Sequence, residues 1–333
     1  LPLLEGSTWP GAVEALALAH ELPIPDRRTE DWKYTRVNKL FNTSYVAPVA
    51  PVTVELPARL PFPTTRVVFV NGHFRADLSD RLDTQNGVVI DSLGKQASNG
   101  LVKTLYGSLA GTKERLFTAM NAAAPTDGLL VLVFKTVKVS QPIHVLHITT
   151  AKGQLIQPRD LFLMQEGAEA EIIIEHVSTS LDMTASVDMT ASLTNGVREC
   201  FIAEGAKLSI HKLQHTTGDL TQIEAEYIDV QAKGVFSINT TTLNGSLVRN
   251  DLSVSLSGPE AHAELNGVYL LDGNAHCDNH TYIGHDVPDC TSDELYKGIV
   301  AGKATGVFNG KVFVKPDAQR TRAYQSNANI LQG

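Results

Sequence analysis

From Leu129 to Phe313 the sequence is a succession of short strand-like segments with almost no helical periodicity. Apolar and polar residues alternate most regularly in Leu252-Ser-Val-Ser-Leu-Ser257, and a period of two is typical of a strand with one buried face. Six segments are predicted strands: Ile143–Ile148, Ala170–Ile174, Lys207–Leu213, Val235–Ile238, Leu252–Leu256 and Val268–Leu271. The larger part of the chain is therefore predicted to be β-structure.

A corner made of small residues recurs before several of these strands. It takes the forms Glu166-Gly-Ala, Glu204-Gly-Ala, Gln231-Ala-Lys-Gly and Ser257-Gly-Pro, at intervals of 38, 27 and 26 residues. Small residues suit a sharp bend where strands stack about 4.8 Å apart. Unequal intervals suit the coils of a solenoid whose loops differ in length. We predict a mainly β fold built on a right-handed parallel β-helix. The period alone would also fit a β-sandwich or a jelly roll.

The first part of the chain has a different character. Ala12–His20 is rich in strong helix formers, and Pro23 and Pro25 end the predicted helix. Segment 46–63 holds five prolines, which exclude a helix interior or a central strand. This first part is therefore predicted to be a small helical segment followed by a linker.

Between the linker and the β-region the sequence is mixed. Thr65–Val70 followed by Asn71-Gly72 predicts a strand that enters a hairpin turn, and a helical period returns over 101–124. We therefore divide the chain into three parts. They are an N-terminal helical segment with a proline-rich linker (1–64), a mixed α/β connecting region (65–128) and a β-helix core (129–333).

Composition excludes several classes of protein. The chain has 28 Lys and Arg against 36 Asp and Glu, a net charge of −8, so no basic field would bind nucleic acid non-specifically. No apolar run approaches the roughly 18 residues needed to cross a bilayer. The three cysteines, Cys200, Cys277 and Cys290, form no CxxC and are expected to be small buried residues in a reducing compartment. We expect a cytoplasmic protein that binds neither nucleic acid nor membrane.

Two motifs resemble those of a known family. They are Arg28-Thr-Glu-Asp-Trp-Lys-Tyr-Thr35 and Gly302-Lys-Ala-Thr-Gly-Val-Phe-Asn-Gly-Lys-Val-Phe-Val-Lys-Pro316, the second continuing through Asp317–Leu331. They resemble the SufB/SufD family, the β-helical scaffold subunits of the SUF iron–sulfur cluster assembly system, and within it the SufD branch. The resemblance spans most of the chain and favours the β-helix over the sandwich. Trp32 in the first motif is expected to pack against the β-region rather than to bind a partner.

The resemblance also implies a function and partners. A SufD-like chain is a non-catalytic scaffold subunit that works with a SufB-like paralogue and a SufC-like ATPase. The full complex holds iron or an Fe–S cluster transiently, and this chain is expected to bind no cofactor tightly. The family continues beyond the position of Gly333 into a Cys-Ser-His-Gly strand and a helical tail. For these 333 residues we therefore expect at most weak homodimerisation and no ATPase binding, and we transfer no family site.

The densest group of potential metal ligands lies in His276-Cys-Asp-Asn-His-Thr-Tyr-Ile-Gly-His285. Thiolate and imidazole bind zinc, iron and copper, so the candidate ligands are His276, Cys277, His280 and His285. On an extended strand His276 and His280 share a face with Asp278, and Cys277 points the other way. The alternative is a polar strand with a buried cysteine.

Other functions find less support. The sequence holds no GxxxxGK[ST] loop, no GxGxxG and no GxSxG, so no catalytic or cofactor-binding residue is assigned. One alternative is a carbohydrate-acting parallel β-helix enzyme, because Asp272, Asp278, Asp286 and Asp289 lie close together in sequence. The other is a structural repeat protein without a metal role.

Overall fold

The strands stack into a parallel β-solenoid of about six turns, in which 48% of residues are in strands and 11% in helices. The computed structural model describes residues 2–49, 53–82, 87–150, 153–178, 192–216 and 220–332. The predicted mainly β, parallel β-helix fold is confirmed. Within the described residues, no helix is long and apolar enough to cross a membrane.

The helices lie in the first 123 residues of the described chain: α1 (Ala12–Glu21), α2 (Asn38–Phe41), α3 (Gly100–Leu105) and α4 (Leu116–Ala123). A 3₁₀ turn covers Glu30–Trp32. The helix predicted from Ala12 is confirmed. The continuous helix predicted over 101–124 is wrong between α3 and α4, where Gly107 adopts a left-handed φ of 75°. The backbone of that loop instead wraps around a carboxylate of the solenoid, that of Glu199.

The described residues form eighteen strands: β1 (Thr65–Val70), β2 (His73–Phe74), β3 (Val88–Ser92), β4 (Leu129–Val133), β5 (Ile143–Thr149), β6 (Leu155–Ile156), β7 (Arg159–Met164), β8 (Glu169–Ser178), β9 (Leu193–Ile202), β10 (Lys207–His215), β11 (Thr221–Val230), β12 (Val235–Leu243), β13 (Leu247–Leu256), β14 (His262–Leu271), β15 (His276–His285), β16 (Thr291–Ala301), β17 (Thr305–Val314) and β18 (Arg322–Gln332). All six predicted strand segments lie inside them.

The strands alternate between two facing sheets. Sheet A has the order β2-β1-β5-β8-β10-β12-β14-β16-β18, and sheet B has the order β3-β4-β7-β9-β11-β13-β15-β17 with β6 beside β9. Among the described strands the antiparallel pairs are β1 with β2 and β3 with β4, both at the first end of the solenoid. The β1–β2 turn is the predicted hairpin, with φ of 48° at Asn71 and 79° at Gly72.

The predicted corners stack into a continuous column. A residue with positive φ recurs once a turn, at Thr136, Gly167, Gly205, Lys233, Glu260, Asp289 and Arg320. Backbone hydrogen bonds join successive corners: the N–H of Gly167 donates to the carbonyl of Glu204, and that of Gly205 to Ala232, each at 2.9 Å. The residue after four of these corners is small and belongs to the buried core: Ala168, Ala206, Ala261 and Cys290. Cys290 occupies, in its turn of the solenoid, the position that Ala168 and Ala206 occupy in earlier turns.

The space between the sheets is apolar along one margin and polar along the other. On the apolar margin Ile172, Ile210 and Ile238 of sheet A stack in register and face a similar row from sheet B within one core cluster. The outer face of sheet B is covered by α1, α4 and the loops around them. Strands such as β11 are therefore buried on both faces. Their apolar residues can pack under this cover, and some of their charged residues face the interior of the solenoid.

Candidate functional site

Two of the candidate ligands lie on the outer face of β15. His276 Nε2 is 2.9 Å from the Thr35 hydroxyl, and His280 Nε2 is 2.9 Å from Asp278 Oδ1. Asp278 also accepts a hydrogen bond from Thr35 and an ion pair from Arg249 Nη1 at 2.6 Å. The structure thus brings His276 and His280 to one face with Asp278, as alternation predicts. Protein partners already engage all three side chains.

The same contacts join the N-terminal motif to the solenoid. The Trp32 ring stacks on Phe117 at a centroid distance of 5.1 Å, and the Arg249 guanidinium lies 3.8 Å from the Trp32 centroid. Arg249 Nη1 also donates to the carbonyl of Asp31 at 2.7 Å. The prediction that Trp32 is a packing anchor is confirmed.

The other two candidates lie elsewhere. Cys277 points into the solenoid and is fully buried, where burial raises the pKa of its thiol to about 12. His285 is also buried, with Nε2 2.9 Å from the Ser292 hydroxyl. It lies at the opposite end of β15 from His276, roughly 30 Å along the strand. Over the described residues, no group of three or more His, Cys, Asp or Glu is arranged to hold a metal ion.

All three thiols are in apolar or closed surroundings. Cys200 is fully buried, and burial raises the pKa of its thiol well above the usual value. Burial likewise raises the pKa of Cys290, whose Sγ lies 3.3 Å from the Gly258 carbonyl. Because the thiolate is the form that attacks electrophiles and binds metals, these positions favour the predicted packing role.

The carboxylates that suggested a carbohydrate-acting enzyme do not converge. Asp286 pairs with Lys315 at 3.0 Å, and Asp289 pairs with Arg320 at 2.6 Å. Asp272 accepts from the N–H of its neighbour Gly273, while Asp278 belongs to the contacts with Arg249 described above. A glycosidase needs two carboxyl groups facing one bond, and these four are each engaged in a different place.

A group of charged side chains that the sequence did not suggest lies inside the solenoid. We call it the interior ion cluster, and its members are Asp160, His176, Arg198, Lys212, Glu224 and Glu226. All are buried. Lys212 Nζ from sheet A reaches Glu226 Oε2 of sheet B at 2.8 Å and Glu224 Oε2 at 3.4 Å. The cluster therefore bridges the two sheets across the interior.

The remaining contacts join Arg198 and His176 to the acidic members of the cluster. Arg198 donates to Asp160 Oδ2 at 2.8 Å and also pairs with Glu226. His176 Nε2 lies 2.9 Å from Glu224 Oε1. Burial alone would raise the pKa of Glu224, but His176 and Lys212 hold it well below its usual range. A buried charge survives only with such partners.

Neutral polar side chains extend this network along the axis. Lys212 Nζ donates to Asn250 Oδ1 at 3.0 Å, and Asn250 Nδ2 donates to Asn279 Oδ1 at 3.0 Å. Asn279 Nδ2 then donates to Cys277 Sγ at 3.4 Å. The polar margin thus runs over at least three turns, and Cys277 belongs to it.

The sequence does not reveal this cluster because the polar residues of β11, rather than its apolar ones, face the interior. Its apolar residues Ile223, Ala225 and Tyr227 face outward and pack under the helices and loops that cover sheet B. The intervening Glu224 and Glu226 therefore face inward. The signal that was available is Lys212 inside a predicted strand, followed by Glu224 and Glu226 in alternation with apolar residues, but a period of two does not say which face is the interior.

Comparison with known proteins gives the family. The profile of the SufBD core domain, described as SUF system FeS cluster assembly, matches residues 147–333, and the profile of the SufBD N-terminal region matches 12–145. The chain belongs to the SufBD family. The resemblance stated from the two motifs is confirmed.

Individual relatives agree with this assignment. A SufBD family iron–sulfur cluster assembly protein of Synechocystis is 26% identical over 327 residues, which cover 95% of this chain and 72% of the relative. The iron–sulfur cluster assembly protein SufD of Escherichia coli is 26% identical over 93% of this chain and 70% of its own length. The chloroplastic protein ABCI7 of Arabidopsis thaliana is 24% identical over 93% of this chain and 66% of its own length.

Proposed function

We propose that this SufBD family chain is a SufD-like, non-catalytic scaffold subunit that takes part in iron–sulfur cluster assembly. The observation that carries the proposal is the pair of consecutive family matches, 12–145 and 147–333, over a parallel solenoid. The Escherichia coli relative is named SufD. In this role iron or a nascent cluster is cargo of the whole complex, and this chain holds no resident cofactor.

A scaffold role agrees with the chemistry of the described residues. The cysteines are buried with raised pKa values, and Asp272, Asp278, Asp286 and Asp289 are engaged in separate contacts. The cavity beside the interior ion cluster has a volume of only about 10 Å³, which is room for no more than one water molecule. These features support a structural role for the charged interior.

The partners in this proposal are a SufB-like paralogue and a SufC-like ATPase. Co-expression of the tagged chain with both proteins from the same organism tests it. We expect the SufB-like protein to be retained on the tagged chain through washing, and ATP hydrolysis to require the SufC-like protein. The isolated chain should show no saturable ATP binding by calorimetry. Loss of the SufB-like protein in the wash, or saturable ATP binding, would overturn the proposal.

A genetic measurement tests the role in cluster assembly directly. Deleting the gene should lower the activity of Fe–S enzymes relative to the amount of their polypeptides, because apoproteins accumulate without clusters. Re-expression of the native chain should restore the activity. Unchanged activity under iron limitation, with no second SufD-like gene in the genome, would contradict the proposal.

A further inference from the structure

One short segment near the start of this acidic chain is basic. Residues 27–39 contain five Lys and Arg against two Asp and Glu, a local charge of +3, whereas the whole chain carries −8 and the rest therefore −11. The five cationic residues are all exposed: Arg27, Arg28, Lys33, Arg36 and Lys39. Charge asymmetry of this kind indicates an interaction surface rather than a requirement of the fold.

Within the part of the chain that the structure describes, the cationic side chains of this segment have no acidic partner. Among the described residues, Lys33, Arg36 and Lys39 form no ion pair and no side-chain hydrogen bond. Some exposed cations elsewhere are paired: Lys135 with Glu166 at 2.8 Å, and Arg320 with Asp289 at 2.6 Å. These three side chains are therefore available to bind an external anion.

An exposed aromatic ring lies among them. Tyr34 is 64% exposed, and Lys33 Nζ lies 5.3 Å from its ring centroid. We define the basic patch as Lys33, Tyr34, Arg36 and Lys39. Seven consecutive residues span at most about 20 Å of chain, so the patch is local. Arg and Tyr are also enriched among the residues that dominate protein–protein binding.

Buried contacts with the rest of the protein hold the backbone that carries the basic patch. Trp32 stacks on Phe117 and Arg249, the Thr35 hydroxyl is bonded to Asp278, and Val37 and Leu40 are buried. Buried anchors thus alternate with the exposed residues of the patch. Binding to a surface that is already ordered costs little conformational entropy.

We propose that the basic patch is the docking surface for an acidic segment of a partner protein. A protein fits better than nucleic acid or an anionic membrane for two reasons. The charge of −11 on the rest of the chain repels an extended polyanion. Glu30 and Asp31 sit beside the patch, where a mixed protein surface can pair with them and a uniform phosphate surface cannot. The proposal does not depend on the role in cluster assembly.

Fluorescence anisotropy with a short fluorescein-labelled peptide of glutamates and two lysines, which carries a net negative charge, tests this at low ionic strength, where screening is weak. The patch variant is Lys33→Glu, Arg36→Glu, Lys39→Glu. The control is Lys103→Glu, Lys113→Glu, Lys303→Glu, which reverses three exposed, unpaired lysines and changes the net charge equally. We expect the peptide Kd to rise about tenfold or more in the patch variant, since three exposed pairs are lost, and to stay within about twofold in the control.

The same titration separates the competing outcomes. Equal weakening in both variants would show that only net charge matters and would overturn the proposal. So would undetectable peptide binding by the native chain, or tighter binding of single-stranded DNA or of phosphatidylserine vesicles than of the peptide. Equal melting temperatures of the native and variant proteins by circular dichroism would establish that the substitutions leave the fold intact.

Discussion

Lys212 is the residue on which the interior charges depend, because it is the cation that contacts both Glu224 and Glu226 across the interior. Its side chain has no exposed surface. Replacing it by Met keeps the volume of the stem and leaves two buried carboxylates without that partner. We expect Lys212→Met to lower the free energy of unfolding by about 3–5 kcal/mol, measured by urea unfolding.

A matched pair of variants tests the cause. Lys103→Met removes an exposed lysine of α3 and should change stability by no more than about 0.5 kcal/mol. Combining Lys212→Met with Glu224→Gln and Glu226→Gln should recover part of the loss, because the uncompensated charges are removed. A triple variant no more stable than Lys212→Met would show that packing, not charge, explains the effect.

His147 makes stability depend on pH. Burial, then His176 and Arg198, lower the pKa of this ring well below 6.5, and Glu224 opposes them only partly. The unfolded chain takes up a proton near pH 6.5 and the folded chain does so only at lower pH. The contribution of the neutral His147 ring to the free energy of unfolding is therefore fully present above pH 6.5. It is lost as the pH falls below that value, by up to about 1.4 kcal/mol per pH unit.

Substitution isolates this one titration. His147→Phe keeps an aromatic ring beside Phe69 and His176, on which His147 stacks at 5.1 and 4.8 Å, and removes the proton. Urea unfolding between pH 7 and pH 5 should show a flatter pH dependence in His147→Phe than in the native protein or in the exposed control His20→Phe. Equal slopes in all three proteins would assign the acid sensitivity to other groups.

At the scale of strands, two interior tyrosines interlock with two glycines. A Cβ added to Gly298 would lie 2.1 Å from the Tyr269 ring, and one added to Gly267 would lie 2.1 Å from the Tyr296 ring. Both rings are buried, at 1% and 2% exposure, and have no room to swing away. We expect Gly267→Ala and Gly298→Ala each to cost about 1–3 kcal/mol or more.

Thermal and urea unfolding measure this cost against a glycine in open space. Gly111 has no atom within 4 Å of an added Cβ and has no positive φ, so Gly111→Ala should be neutral or slightly stabilising. If Gly298→Ala behaves like Gly111→Ala, the Tyr269 ring must be able to move, and the interlock is not needed for the fold.

The strands show what the sequence could and could not predict. Alternation located Leu252–Leu256, and the small-residue corners gave the stacking of turns, since both depend on local backbone chemistry. The interior ion cluster could not be predicted, because helices cover the outer face of β11 and invert its pattern. The break between α3 and α4 was also hidden. There the N–H groups of Gly107, Leu109 and Ala110 bind the Glu199 carboxylate at 2.8–3.0 Å, a contact between residues about ninety positions apart.

At the scale of the molecule, the two ends of the solenoid differ. The first end is closed by the antiparallel strands β2 and β3, and β1 and β4 are almost wholly buried. At the other end β17 pairs with β15 and β18 with β16 among the described strands, and every residue of β18 is exposed. A solenoid turn contacts only its neighbours, so its stability comes from those few interfaces.

This difference predicts a gradient of local stability along the 333-residue chain. The β17–β18 turn buries little of its side-chain surface, since every residue of β18 is exposed, so it should open at a lower free energy than the global transition. Hydrogen exchange followed by mass spectrometry measures this peptide by peptide. Amides of β18 and β17 should exchange well before those of β9–β12, and β1 and β4 at the closed end should be protected like the central strands. Uniform protection from β1 to β18 would instead show that the solenoid opens only as a whole.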